Sequence, residues 1–235
     1  MRTTRTAAAL LVLTTLLSGC GAWQDFRTSD FAEQDGAAIA TAARRAMKDV
    51  TSLRLTGQVV SKGNQVLLDL SVGKDRCTGT LRLGGSHLAV RRVGDRAWIK
   101  GDEGFISSVS STRLPAAALT RLSTSWIPAN DREILDFCDV DELLGDFRVM
   151  QRSGASDDEV DTGGVTVGEE DSVDGARVVD IGVGEQETAW VLSEAPHYVV
   201  RVESAVPRDG GSLALSEFNH EVRVEVPAPK DVFRP

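Results

Sequence analysis

Rings are scarce in this chain. Aromatic residues make up 5% of 235, with a single Tyr and four Trp. That argues against a cleft built by stacking sugars, and it leaves the core to Val, Leu, Ile and Ala. Base is outnumbered by acid, 26 Lys and Arg against 35 Asp and Glu, for a net charge of −9. An acidic surface argues against nucleic acid as a partner and against general adhesion to anionic headgroups. The three histidines, His87, His197 and His220, stand alone, with no second His or Cys at ligand spacing, so no metal site is expected. Gly84-Gly85 is not followed by a phosphate-loop pattern, and Gly85-Ser86-His87-Leu88 lacks the closing glycine of a nucleophile elbow. The acidic stretch Asp157–Asp161 lacks the spacing of a calcium loop and reads as solvated. No cofactor and no enzymatic activity are expected.

Long apolar runs are also missing, except at the start. Arg2 and Arg5 precede an apolar segment, Ala7 to Leu17, too short to span a ~30 Å hydrocarbon core as a helix. It is followed by Leu17-Ser18-Gly19-Cys20. Residues 1–19 therefore read as a secretory leader, and Leu17 to Cys20 as a lipobox. The small Gly19 lets a peptidase approach, and the Cys20 thiol receives a diacylglyceryl group, with palmitate as a further acyl chain. An ordinary leader with a chance cysteine is the plainer alternative. Two or three acyl chains hold a protein stably to a bilayer, so the expected location is the extracytoplasmic face of the cell membrane. With Cys20 used by lipid, Cys77 and Cys138 remain, an even pair in a disulfide-permissive compartment. A bridge between them closes a loop of about 60 residues, for which chain entropy gives ~3–4 kcal/mol. Two buried free thiols are the alternative.

Residues 20–34 show no sustained period and read as a lipidated tether, reaching roughly 20 Å as a flexible chain. Residues 35–235 form the body. Asp35 is placed to cap a helix running to Val50, whose Ile39, Ala42, Ala43, Ala46, Met47 and Val50 make an Ala-rich apolar stripe. From Ser52 the period becomes two. Strands follow with Leu53, Leu55 and Val59, then Val66, Leu68, Leu70 and Val72, then Cys77, Leu81 and Leu83. Ser86 to Val93 and Ala97 to Lys100 complete a meander of five, turning at Gly63-Asn64, Gly84-Gly85 and Gly94-Asp95. Gly104 to Phe147 reads as helical or irregular, broken at Pro115 and Pro128. Strands return at Val165 to Val173 and Ala176 to Val183, flanking the hairpin signal Asp174-Gly175. Thr188 to Leu192, Tyr198 to Val206, Leu213 with Leu215, and Val222 with Val224 and Val226 complete the set. Strands in runs with helices grouped apart imply an α+β fold with a largely antiparallel sheet of about ten to eleven strands. A sheet of that width must curl, with its helices on the concave face.

These patterns resemble the actinobacterial LppX/LprG-type lipoproteins, which belong with the LolA-like envelope carriers. The matching residues are Leu17 to Cys20, the helix running into Ser52-Leu53-Arg54-Leu55-Thr56-Gly57, and Val93 to Gly101. In the second half they are Ala189-Trp190-Val191-Leu192, Pro196 to Arg201, Leu213 to Asn219 and Val222 to Pro227. The resemblance implies a half-barrel sheet around a helical plug, an apolar cavity between them, and transport or chaperoning of lipids or lipidated molecules without catalysis.

Two functions follow. One is an envelope carrier holding a lipid or other apolar ligand between sheet and helices, where small side chains leave dry space. Its candidate lining is Leu55, Val59, Leu68, Leu70, Leu81, Trp98, Ile181, Trp190, Tyr198 and Val200; plain core packing is the alternative for each. The other is a lipid-anchored interaction or sensor module without a small ligand, offering its acidic loop Asp157–Asp161 to a basic envelope protein. Both rest on the anchor. Replacing Cys20 by Ser should release the protein into the medium or leave it unprocessed; a Cys20→Ser protein that stays processed and membrane-bound on cell fractionation contradicts the lipobox.

Overall fold

The computed structural model describes residues 28–61, 63–129, 132–145, 164–208 and 210–234. The leader, Cys20 and the acidic stretch 157–161 lie outside these residues.

Helix α1 (Gly36–Lys48) starts where a short polar side chain can take a free amide. Asp35 stays extended and its carboxylate accepts from Ala38 N at 2.8 Å, satisfying a donor that has no partner within the helix. The helix buries Ile39, Ala40, Ala43 and Met47, the three- and four-residue spacing of one face. Five strands follow: β1 (Ser52–Ser61), β2 (Asn64–Gly73), β3 (Arg76–Leu83), β4 (Ser86–Val93) and β5 (Arg96–Gly101). The helical middle consists of α2 (Glu103–Val109), α3 (Ala116–Thr124), the two-residue strand β6 (Ile127–Pro128), α4 (Arg132–Phe137) and α5 (Val140–Gly145). Then come β7 (Val165–Val173), β8 (Ala176–Val183), β9 (Glu187–Leu192), β10 (Val199–Ser204) and β11 (Gly211–Ser216).

All eleven strands form one antiparallel sheet, ordered β6-β5-β4-β3-β2-β1-β11-β10-β9-β8-β7. It is an open, curved half-barrel in an α+β fold. Each half is a meander of neighbours, and the halves meet where β1 pairs with β11, Arg54 opposite Ser216 and Val59 opposite Gly211. Two glycines make that seam possible. Gly57 has φ +149° and Gly211 φ +157°, and a Cβ on either would strike the opposing strand's carbonyl oxygen, of Ser212 or Gln58. Only glycine tolerates both the dihedral and the approach.

The helical middle is pinned to the sheet twice. Cys77, the first inward residue of β3, is disulfide-bonded to Cys138 just beyond α4, with Cα atoms 5.3 Å apart. Beside the bridge, Arg92 of β4 donates to the carbonyls of Leu135 at 2.7 Å and Cys138 at 3.0 Å, with Asp139 at 3.5 Å. A cation thus takes up the free carbonyls at the end of a short helix, where the dipole is negative.

Two expectations are corrected. Val222, Val224 and Val226 do not form a strand: residues 221–228 carry no ladder. Their alternation does not mark a shared inward face either: Val222 is buried, Val224 half-buried and Val226 exposed. The expected tether also ends early. Residues 28–34 are packed on the body: Phe31 is buried and stacks on the His197 ring at 3.9 Å. Ser29 donates from its amide and hydroxyl to the Glu170 carboxylate, at 2.9 and 2.6 Å. We call this segment the strap.

Burial raises the Glu170 carboxyl pKa, but the opposing effects win and the net shift is downward. They come from the Ser193 hydroxyl beside it, Ser29 and the charge of Arg177. Ser193 Oγ acts at a distance, since it has no hydrogen-bond partner of normal geometry. A lowered carboxylate stabilises docking above its unfolded value, and that support disappears as pH falls through the folded one. The protection factors of residues 28–34, taken against free-peptide exchange at each pH, should therefore fall ahead of those of the sheet as the medium is acidified through the carboxylate range. Glu170→Gln should loosen the strap at neutral pH by about 1.5–3 kcal/mol; a strap equally protected in that variant would refute this account.

Candidate functional site

The register of the sheet sorts its inward side chains into rows. Leu53 sits opposite Val72, and Val72 opposite Cys77. Leu55 and Leu70 come next, then Gly57, Leu68, Leu81 and Leu88, and last Val59, Val66 and Leu83. Burial falls from row to row. Leu53, Leu55, Leu70 and Val72 are at 0–1% exposure. Val59, Leu81, Leu83, Leu88 and Leu213 are only half-buried, although Leu68 and Val66 between them on β2 are buried, at 8% and 9% exposure. The same apolar face is therefore sealed at the disulfide end of the strands and more loosely covered toward the Gly63 and Gly84-Gly85 turns.

The open part forms an aliphatic trough across β4, β3, β2, β1 and β11. Helices define its ends. On the β5 side the Phe105 ring of α2 packs over Gly101, which is opposite Leu88. Asp102 holds that helix start, accepting from Phe105 N at 2.8 Å and from His87 N at 2.7 Å. These two bonds draw its pKa down. On the other side α1 lies against β7 and β8, and Ile181 of β8 and Ala189 of β9 are both fully buried. The inward positions of β1 to β4 in the two open rows carry no ionisable side chain. A carboxylate, Glu187, enters only farther along, opposite Val183 and Ser204. Such a surface offers dispersion and desolvation but no polar recognition, so it suits an aliphatic guest.

Of the residues expected to line a site, Leu55, Leu68, Leu70 and Ile181 lie in the buried core, and Val59, Leu81 and Tyr198 pack against it half-buried. Three are placed differently. Trp98 is opposite Arg91 and Pro128, on the side away from its inward neighbour Ile99. Trp190 lies between Asp180 and Arg201, on the outer face, with the Arg201 guanidinium 5.1 Å from its ring. Arg201 is also paired with Glu203. Inward positions of β9 go to Ala189 and Val191, both fully buried. Val200 falls in a register shift between Val199 and Arg201, so Val199 and Val202 take the buried positions.

Leu88, Leu213 and Phe105 are trough residues missed from the sequence. Leu88 and Leu213 follow from carrying the period of two across the paired register. Phe105 could not be found that way, because its place depends on a helix folding back on Gly101. His87 and His220 are exposed, and among the described residues no three His, Cys, Asp or Glu side chains are grouped as metal ligands. The outer face has a pocket of about 70 Å³ lined by Arg54, Ser71, Thr78, Glu217, His220 and Arg223, with their neighbours. Its size and polarity rule out a drug-sized apolar guest.

No protein-family model matches the chain, and no curated protein matches it in sequence. Solved structures do. LprF from Mycobacterium bovis has a TM-score of 0.52 at 13% identity, over 82% of this chain and 97% of that one. LppX from Mycobacterium tuberculosis, described as a lipoprotein, has a TM-score of 0.49 at 15% identity, over 81% and 98%. The LppX likeness is too slight to argue from. The LprF likeness extends to the fold alone, and at that level it agrees with the resemblance carried by the strand and turn motifs.

The graded burial has a direct consequence for stability. Leu70→Ala should cost about 2–5 kcal/mol in denaturant unfolding, as for a fully packed core leucine. Leu81→Ala should cost clearly less, because part of its side chain already meets solvent. Equal losses would mean the trough is closed.

Proposed function

We propose that the chain is an exported lipoprotein, anchored through Cys20, whose body binds a lipid or other aliphatic ligand in the trough and carries or chaperones it within the cell envelope. On this reading residues 1–19 are the leader, the tether ends near residue 28, and residues 28–235 are the binding body. The observation that carries the reading is the aliphatic stretch from Val59 to Leu88, continuous with a sealed core yet only half-buried at Val59, Leu81, Leu83 and Leu88. A soluble fold gains about 25 cal/mol for each Å² of apolar surface it buries, so an exposed inner face calls for an occupant. The work asked of the protein is binding, not catalysis.

Native mass spectrometry of protein purified from envelopes should show co-purifying lipid. Leu81→Glu/Leu83→Glu puts two charges in the trough and should lose that lipid. Both positions are half-buried and lie away from the disulfide end, so the thermal transition and the Cys77–Cys138 bridge should survive. Wild-type protein that emerges free of lipid and binds no fatty acyl probe would overturn the reading.

A further inference from the structure

The charge and the unburied apolar groups of this molecule are unevenly placed. Residues 104–130 contain no Asp or Glu, in a chain with 35 of them. The same stretch carries Arg113 and Arg121, both exposed, and forms the α2–α3 pair beside β4 and β5. Helix α3 buries none of its residues. Val109, at the end of α2, is 62% exposed, the most open of the large apolar side chains among the described residues. Arg121 donates to the Arg234 carbonyl at 2.8 Å and lies 5.2 Å from the Phe233 ring, bringing a third arginine alongside. Asp102, Glu103 and Asp231 are the acids at the margin; Asp102 is held by the amides of Phe105 and His87, and Glu103 is engaged by the Thr120 hydroxyl at 3.1 Å. The opposite edge of the sheet is acidic, with Asp30, Glu33, Asp35, Glu169 and Asp171 exposed.

We infer that the α2–α3 pair is a contact surface for an anionic lipid bilayer, turning the β5 side of the body toward the membrane. The exposed apolar positions are single and scattered, and the neighbouring Trp126 and Phe233 rings are half-buried beside the Arg91 and Arg121 guanidinium groups, not projecting as the anchors that concentrate affinity in a protein–protein interface. The small hydroxyl side chains Ser107, Ser108, Ser111 and Thr112 between them suit a headgroup layer. Long cations beside shallow apolar side chains are the composition of an interfacial helix. The acidic far edge adds direction, since an anionic surface repels it while attracting the arginines. Phe105 belongs to the same pair and stands at the end of the trough, so the contact would bring that end to the source of any lipid. The inference stands whether or not the trough is filled.

The test is amide exchange of the full chain on vesicles of phosphatidylcholine, alone or mixed with phosphatidylglycerol. Residues 104–124 should exchange more slowly on the mixed vesicles, and the outer face of β2 and β3 should not change. Added salt should weaken the effect. Arg113→Gln/Arg121→Gln should weaken the local attachment about thirtyfold and abolish the protection, with an unchanged melting temperature as the control for folding. Equal exchange on both vesicles, protection that survives in the double variant, or slowing that follows protein concentration without vesicles (a second copy as the partner) would each overturn the proposal.

Discussion

The pairing of β1 with β11 holds the two halves of the molecule together. Each half can assemble from neighbouring strands, but the joint brings Arg54 beside Ser216 and closes over most of the chain. Contacts of such separation carry a large loop-closure cost and form slowly. The joint is also the least forgiving place for side chains, because Gly57 and Gly211 each meet the other strand's backbone with no room for a Cβ. Everything on the inner face is aligned by this register. The trough continues from Leu68 across Gly57 to Leu213 only because the two meanders meet in phase.

The rest of the site depends on where the helices stop. The bridge from Cys77 to Cys138, with Arg92 on the carbonyls of Leu135 and Cys138, fixes α4 and α5 over one end of the strands. Helix α1 lies against β7 and β8, and Phe105 closes the β5 side. Between these covers the sheet presents aliphatic side chains to solvent. The fold therefore uses one continuous apolar face for two purposes. Part of it stabilises the body, and part stays available.

Much of this is legible in the sequence because it is local. The period of two marks the strands, Gly94-Asp95 and Asp174-Gly175 mark turns, and Asp35 marks the start of α1. The pairing of Cys77 with Cys138 follows from their being the cysteines left once Cys20 is set aside. The parts that are not legible are those settled by distant partners. Ile127 and Pro128 become a strand only because Ile99 and Trp98 lie opposite them. Val222 to Val226 alternate yet find no ladder. Trp98 and Trp190 show that a large apolar residue need not point inward: a one-residue phase choice is made by what its neighbours must fit. The docking of residues 28–34 is carried by Glu170, 141 positions from Ser29, which no local pattern reveals.

That last contact also has a mechanical side. Any pull on the chain ahead of residue 28 reaches the body through Ser29 and Phe31, and so through Glu170 and His197. Glu170 belongs to β7, an edge strand with a single neighbour, β8. Load entering there bypasses the glycine seam, the disulfide and the trough, all of which lie on other strands. The strap thus takes the first of any such load on an edge strand, and only its release would pass tension through α1 to β1 and the glycine seam.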